Sequence, residues 1–296
     1  MIQLGLIGYP LGHSLSPKIH TAALKACGLE GSYSLFPIYP DDKHGLSNLI
    51  DHFRAGEIDG LNITVPYKLD IISFIDVLTD TAMSIGAVNT IFMHDDILIG
   101  HNTDADGFLI DLKKCMAQSS SPILGASSEA NGGMGVDGKS AIVLGAGGSA
   151  RAVIYALLND GWSVTLTARR IEQAQELANE FASYNVQIAS SFDLRPIDKF
   201  RAMPVPFDLL VNTTPVGMFP NMDASPLPNE LSLPSNIFVY DLVYNPRETK
   251  LVRNARSQGL RATTGLGMLI EQAALSFEIW TGHTPPRDVL YASVVE

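Results

Sequence analysis

Cysteine is scarce in this chain of 296 residues: only Cys27 and Cys115 occur, far apart and without the spacing of a metal site. Each falls in an apolar helical pattern, where a buried free thiol is the expectation. Long apolar runs are lacking too. No stretch reaches the roughly 18 residues of a spanning helix, and Met1 is not followed by the basic and apolar segments of a secretory signal. Positive charge is in deficit, with 20 Lys and Arg against 31 Asp and Glu and a formal net charge of -11. The electrostatics argue against a nucleic-acid partner, and any phosphate site must be a local positive feature. These absences predict a soluble protein of a reducing compartment, most simply the cytoplasm, with no membrane partner and no metal.

What is present is ample apolar mass. A hydrophobic content of 46% with 17% charged residues suits a globular protein, and the length suggests two domains. The organising stretch is Val143-Leu-Gly145-Ala146-Gly147-Gly148-Ser149-Ala150. A short apolar run enters the glycines and a helical pattern leaves them, the context of a dinucleotide-binding turn. Gly145 permits the tight turn, Gly147 lets the backbone approach a pyrophosphate, and small Ala150 lets helix and strand pack closely. Free N–H groups at the helix start would face the phosphates. The plainer reading is a tight strand-to-helix turn of small residues.

Ahead of that turn, residues 4–7 read as a short buried strand closed by Gly8-Tyr-Pro10. In His13-Ser14-Leu-Ser16-Pro17, Ser16 reads as a helix cap with proline at the first helical position. Ser14 lacks that explanation, and two hydroxyls beside a helix start could hold a small carboxylate. Residues 33–39 and 41–55 read as a strand and a helix. In Gly60-Leu-Asn62-Ile-Thr64-Val-Pro66 apolar and polar residues alternate, so Asn62 and Thr64 share a face. Lys68 follows at the strand mouth, where a lysine is usually a solvated charge. Residues 86–92 and 97–100 read as a strand pair about Asp95-Asp96, and Asn102-Thr-Asp104-x-Asp106-Gly107 sets acids before a helix, as capping would.

Four of these motifs in order, His13-Ser-x-Ser-Pro17, Asn62-Ile-Thr-Val-Pro-x-Lys68, Gly86-Ala-Val-Asn-Thr90 and Asn102-Thr-Asp-x-x-Gly-Phe108, followed by the glycine turn, resemble the shikimate dehydrogenase family. The resemblance covers nearly the whole chain. It implies that Ser14 and Ser16 hold the carboxylate of shikimate, and that Thr64, Asn89 and Asp104 bind around its ring hydroxyls. Lys68 would be the acid/base residue, paired with Asp104. Reducing a ketone by hydride needs a proton donor at the oxygen, and the reverse needs a base. A free lysine, titrating at about 10.4, is a ready donor at neutral pH.

Beyond a helix over residues 107–116, the stretch 118–139 is rich in Ser and Gly and reads as a mobile surface loop. After the helix that follows the glycine turn comes a strand over residues 162–167. At its end an NAD enzyme would present Asp or Glu to the adenosine ribose. Here stand Ala168, Arg169 and Arg170, which suit a 2′-phosphate unless they are simply exposed charges. The family often has Asn-Arg-Thr there, so Arg169 is kept and the asparagine is replaced. Strands are read at residues 207–211 and 237–243. The sequence Asn212-Thr213-Thr-Pro-x-Gly-Met218 matches the family's loop beside nicotinamide and pyrophosphate. By the same resemblance Leu242 and Gly265 lie near the cofactor, while Tyr244 and Gln272 lie near the substrate.

The expected fold class is α/β. An N-terminal substrate domain (residues 1–106, completed by helices over 267–296) joins a Rossmann-like NADP-binding domain (107–266), with a cleft between them. The resemblance implies reversible NADPH-dependent reduction of 3-dehydroshikimate to shikimate, by a monomer or homodimer. One alternative is an NAD-dependent quinate/shikimate dehydrogenase. A more distant one is a non-catalytic dinucleotide sensor, which would need no proton donor such as Lys68.

Overall fold

Strand β1 (Ile2–Gly8) is the axis of the first sheet, and its inward alternation sorts two cores: Leu4 and Leu6 enter one cluster, Ile7 the other. The structure is a computed structural model describing residues 1–42, 44–117, 139–182, 186–188, 207–229 and 231–295. From β1 the chain runs through α1 (Ser16–Ala26), β2 (Gly31–Pro37), α2 (Gly45–Arg54) and β3 (Gly60–Ile63). A 3-10 turn (Asp70–Phe74), β4 (Val77–Leu78), α3 (Asp80–Ile85), β5 (Thr90–His94), β6 (Ile97–His101) and α4 (Asp104–Ala117) follow. The sheet order is β2-β1-β3-β5-β6-β4. β1 pairs parallel with β2 and β3, whereas β5 is antiparallel to β3 and β6.

The expected strand pair about Asp95-Asp96 exists, and both turn residues have positive φ, 49° and 61°, as a two-residue hairpin turn demands. Its first strand starts at Thr90 rather than at residue 86. Gly86, at φ 67°, closes α3 in the left-handed conformation, so residues 86–89 are spent on leaving that helix. The helix expected over residues 41–55 is shorter, and the one expected from residue 107 begins at Asp104.

The second sheet contains β7 (Ser140–Leu144), β8 (Ser163–Thr167), β9 (Gln187–Ile188), β10 (Leu209–Asn212), β11 (Phe238–Asp241) and β12 (Ala262–Thr264). Its order is β12-β11-β10-β7-β8-β9, and every pairing is parallel. In chain order that is the 3-2-1-4-5-6 arrangement of a dinucleotide-binding sheet, with β7 at the switch point. β7, β10 and β11 are buried along their whole lengths, as a parallel sheet covered on both faces requires. α6 (Ile171–Glu180) and α7 (Lys250–Ser257) pack on it, and α5 (Gly148–Asn159) follows β7 in the chain. The expected loop over residues 118–139 lies, apart from Lys139, outside the described residues.

α8 (Leu266–Thr281) and α9 (Arg287–Val295) return to the first sheet, where Ile270, Ala273, Phe277, Leu290 and Val294 pack with Leu4, Leu6 and Ile19. The chain divides into two compact units: Met1–Phe108 with Gly147–Ala156 and Leu266–Glu296, and Leu109–Ala146 with Leu157–Gly265. The two thiols are half-buried rather than buried. Burial still pushes Cys115 up to about 11, assisted by the Asp111 carboxylate. Among the described residues no helix is long and apolar enough to cross a membrane, and no cluster of His, Cys, Asp and Glu could hold a metal.

Candidate active site

Lys68 is held from both sides along the chain. The Tyr67 hydroxyl donates to the Ile38 carbonyl at 2.8 Å, and the Lys68 carbonyl accepts from the Val88 N–H at 2.8 Å. Its ammonium donates to Asp104 Oδ2, with only 12% and 6% of the two side chains exposed. Lys68 is thus an enclosed charge rather than a solvated one. An ion pair this enclosed demands further partners for the carboxylate. Asn89 supplies one: its Nδ2 donates to Asp104 Oδ1 at 2.9 Å and lies 3.3 Å from Gln272 Oε1. The Asp104 N–H is capped by Asn102 Oδ1 at 3.0 Å, so Asn102 is the capping residue and Asp104 is free for the lysine.

Gln272 belongs to α8, far away in sequence. It reaches this cluster because α8 crosses α4 at Gly107, where a Cβ would stand 2.7 Å from the Gln272 backbone nitrogen. Gly148 plays a similar part, since a Cβ there would lie 3.1 Å from Lys68 Cβ. Beside it, Ser149 Oγ accepts a long bond from Lys68 Nζ at 3.4 Å. Lys68, Asp104, Asn89, Gln272 and Ser149 thus form one connected group: a lysine able to give a proton as the ammonium and to take one as the amine, oriented by a carboxylate that an amide holds in turn.

Ser14 and Ser16 form a separate pair. Ser16 is not the cap expected of it. Leu15 occupies the cap position with no side-chain bond, Ser16 is the first helical residue, and its N–H is accepted by Ser14 Oγ at 3.2 Å. With Pro17 fixing the first turn, the capping oxygen comes from two residues earlier. Thr64 lies just past β3 and is half-buried, and β1 approaches so closely that a Cβ on Gly8 would meet Thr64 Cγ2 at 2.3 Å. Among the described residues no side-chain hydrogen bond links Ser14, Ser16 or Thr64 to the Lys68 group.

In the second unit Gly145, Ala146, Arg169, Arg170, Thr213, Leu242 and Gly265 stand just past the carboxyl ends of the parallel strands, where ligands of such sheets bind. Gly145 ends β7 at φ 111°, a conformation that favours glycine. A Cβ there would also stand 2.6 Å from Thr213 Oγ1, the hydroxyl that donates to the Leu144 carbonyl at 2.7 Å. A Cβ on Gly147, by contrast, would meet nothing within 4 Å. Ala150 is fully buried in the helix that follows. Ala168 is buried after β8, while Arg169 and Arg170 are exposed, and no carboxylate stands among these three.

Leu242 follows β11, and a Cβ on Gly265 after β12 would lie 2.2 Å from its carbonyl oxygen. Tyr244 is half-buried two residues further on. The ends of β10 and β11 are fastened by Asp241, which accepts from Asn212 Nδ2 at 2.8 Å, Thr249 Oγ1 at 2.6 Å and the Val243 N–H at 3.1 Å. Burial raises its pKa to about 6 against the opposing pull of those donors.

Residue patterns alone did not disclose the polar groups behind Asn89. Thr103 N–H and Thr90 Oγ1 donate to Asn89 Oδ1 at 2.8 and 2.9 Å, and Ser276 Oγ lies 2.8 Å from Thr90 Oγ1. The available signal was the position of Ser276 one turn after Gln272, on the same helical face.

Known proteins are similar to this chain over nearly its whole length. The shikimate dehydrogenase substrate binding domain family matches residues 6–91, the shikimate / quinate 5-dehydrogenase family residues 128–199, and the shikimate 5'-dehydrogenase C-terminal domain family residues 265–295. A shikimate dehydrogenase (NADP(+)) of Shouchella clausii is 39% identical over 285 residues, covering 96% of this chain and 94% of that protein. A crystal structure of a shikimate dehydrogenase in complex with NADP+ superposes with a TM-score of 0.83 at 34% identity, covering 100% of this chain and 95% of that one. The shikimate 5-dehydrogenase of Thermus thermophilus, solved in complex with NADP(H) and shikimate, has a TM-score of 0.78 at 35% identity, covering 99% and 98%.

Proposed function

The chain belongs to the shikimate dehydrogenase family, and on that premise we propose that it catalyses the reversible NADPH-dependent reduction of 3-dehydroshikimate to shikimate, a step of aromatic amino acid biosynthesis. The observation that carries the reading is the enclosed Lys68–Asp104 pair with Asn89 and Gln272 around it. A sensor of dinucleotides would have no use for a buried ammonium beside a carboxylate, whose burial is costly unless it serves a purpose.

The residues of the second sheet fit a 2′-phosphorylated dinucleotide. The space beside Gly147 is open, Gly145 has the conformation that the turn needs, and two exposed guanidiniums without an acid follow β8. Gly145, Ala146, Gly147, Gly148, Ser149 and Ala150 would hold the pyrophosphate, Arg169 and Arg170 the 2′-phosphate, and Thr213, Leu242 and Gly265 the nicotinamide end. The cofactor supplies the hydride.

The protein's part is orientation and the proton. Lys68 Nζ gives its proton to the carbonyl oxygen as the ketone is reduced, and takes it back from the hydroxyl in the reverse direction. Asp104 keeps that ammonium in place. Asn89, Thr64, Tyr244 and Gln272 would contact the ring substituents, and Ser14 and Ser16 the carboxylate. In this reading residues 1–106 with 267–296 are the substrate domain and 107–266 the cofactor domain, in a cytoplasmic enzyme that acts as a monomer or homodimer.

Initial rates with shikimate or quinate, each with NADP+ or NAD+, test the proposal. Shikimate with NADP+ should give the highest kcat/KM. Faster turnover of quinate with NAD+ would overturn it in favour of a quinate/shikimate dehydrogenase.

A further inference from the structure

Five polar side chains that the proposed chemistry does not use, or uses only at one end, lie almost wholly buried behind the Lys68–Asp104 pair. Asn62 is 4% exposed, Thr103 1%, Asn89 2%, and Thr90 and Ser276 are sealed. Burying such groups is unfavourable unless each finds a partner. Here the partners form a connected chain.

Tyr33 begins it, its hydroxyl donating to Asn62 Oδ1 at 2.9 Å. With its oxygen on that side, Asn62 turns its NH2 toward Ser276 Oγ at 3.0 Å and Thr90 Oγ1 at 3.3 Å. An amide NH2 can only donate. Thr90 Oγ1 accepts from Asn62 and lies in donating geometry to Asn89 Oδ1, 2.9 Å away, while Ser276 Oγ donates to the Gln272 carbonyl at 3.0 Å. Asn89 Oδ1 also receives the Thr103 N–H, so the Asn89 NH2 is left facing Asp104 Oδ1 at 2.9 Å. Ser276 Oγ, 2.8 Å from Thr90 and 3.1 Å from Thr103, ties the group to α8 one turn beyond Gln272.

We propose that Tyr33, Asn62 and Thr90 are positioning residues for the proton-transfer pair, acting through Asn89 to hold the Asp104 carboxylate, and with it the Lys68 ammonium, in a single orientation. The proposal rests on the dehydrogenase reading given above. Polar chains of this kind strengthen one another and specify a unique arrangement when every member is satisfied. Turned over, the Asn89 amide would set its oxygen against the carboxylate, and Asp104 would lose its fixed partner. None of the three residues touches the reacting atoms, so their effect should fall on turnover rather than on substrate affinity.

The decisive variant is Thr90→Val, which keeps the shape and deletes the hydroxyl. With shikimate and NADP+, its kcat should fall about tenfold or more, as expected when a reactive group is misplaced by a fraction of an ångström, while KM for shikimate stays within about threefold. Thr90→Ser, retaining the hydroxyl, should recover most of the loss. In an Asn89→Ala background, Thr90→Val should change kcat less than about twofold, because the path through Asn89 is already cut. Should Thr90→Val fail to fold, Tyr33→Phe removes the hydroxyl that starts the chain and carries the same expectation at a few-fold magnitude. A folded Thr90→Val or Tyr33→Phe with parental kcat, or an effect that persists undiminished without Asn89, would overturn the proposal. A parent protein that does not oxidise shikimate would instead overturn the function itself.

Discussion

Gly107 of α4 lies directly against Gln272 of α8: a Cβ on the glycine would stand 2.7 Å from the Gln272 backbone nitrogen and 2.8 Å from its Cβ. The contact lets a residue from the end of the chain reach Asn89 and, through it, the Lys68–Asp104 pair. Neither backbone can yield cheaply. Gly107→Ala should therefore destabilise the protein by about 1–3 kcal/mol, the usual cost of overpacking, and lower kcat/KM for shikimate by displacing Gln272. Urea unfolding with parallel kinetics checks it. Unchanged stability and activity together would mean that the helices part without consequence.

Arg169 and Arg170 follow β8 where a ribose-binding acid would otherwise stand, and both are exposed. Arg170 is already engaged with Gln173 Oε1 at 2.9 Å, which leaves Arg169 as the stronger candidate for the 2′-phosphate. Arg169→Ala should raise KM for NADP+ by about tenfold or more, the worth of a charge-assisted phosphate contact. KM for NAD+ and for shikimate should stay nearly constant. Equal effects on both dinucleotides would remove the arginine from phosphate recognition.

His20 is fully buried, stacked on Tyr33 with ring centroids 4.3 Å apart, and among the described residues neither ring nitrogen has a hydrogen-bond partner. Burial holds its pKa down to about 3, and the opposing pull of Asn62, which does not reach hydrogen-bonding geometry, is smaller. An unfolded histidine titrates near ~6.5, so below that pH the unfolded chain binds a proton that the folded chain refuses. Stability is thus lost as pH falls from about 6.5 toward 3, by up to ~1.4 kcal/mol per unit.

Asp241, with a folded pKa of about 6, acts with the opposite sign. Its contribution is present below the unfolded carboxylate value of about 3.9 and is lost as pH rises through 6. Over pH 4–6 the two oppose each other. His20→Phe removes only the first, so its stability relative to the parent should increase steadily as pH falls through that window. Denaturant unfolding of both proteins at several pH values measures the difference, in which all other groups cancel. A constant difference would contradict the burial argument.

Much of this was legible in the sequence because the decisive signals are local. A glycine turn between a buried strand and a helix, Pro17 at a helix start and two arginines after β8 are each read within a few residues. The parallel sheet followed from such units, since a strand–helix–strand repeat leaves few other topologies. What could not be read depended on residues meeting across the chain. Ser14 rather than Ser16 caps α1 because the helix starts one residue earlier than the hydroxyl pattern suggests. Gly107 looked like part of a motif, and only the crossing of α8 explains why it is glycine. Thr90 and Ser276, 186 positions apart, meet at 2.8 Å with nothing in either neighbourhood to announce it.

Lys68 is the group assigned to move the proton, and Lys68→Ala tests that assignment most directly. Oxidation of shikimate by NADP+ should lose kcat by about 10²–10⁴-fold, the range of a lost acid/base residue, while KM for shikimate stays within several-fold. The variant must first be seen to fold, since its deletion leaves Asp104 buried without its counter-charge. A folded Lys68→Ala protein with near-parental kcat would take the lysine out of the mechanism and the central claim with it.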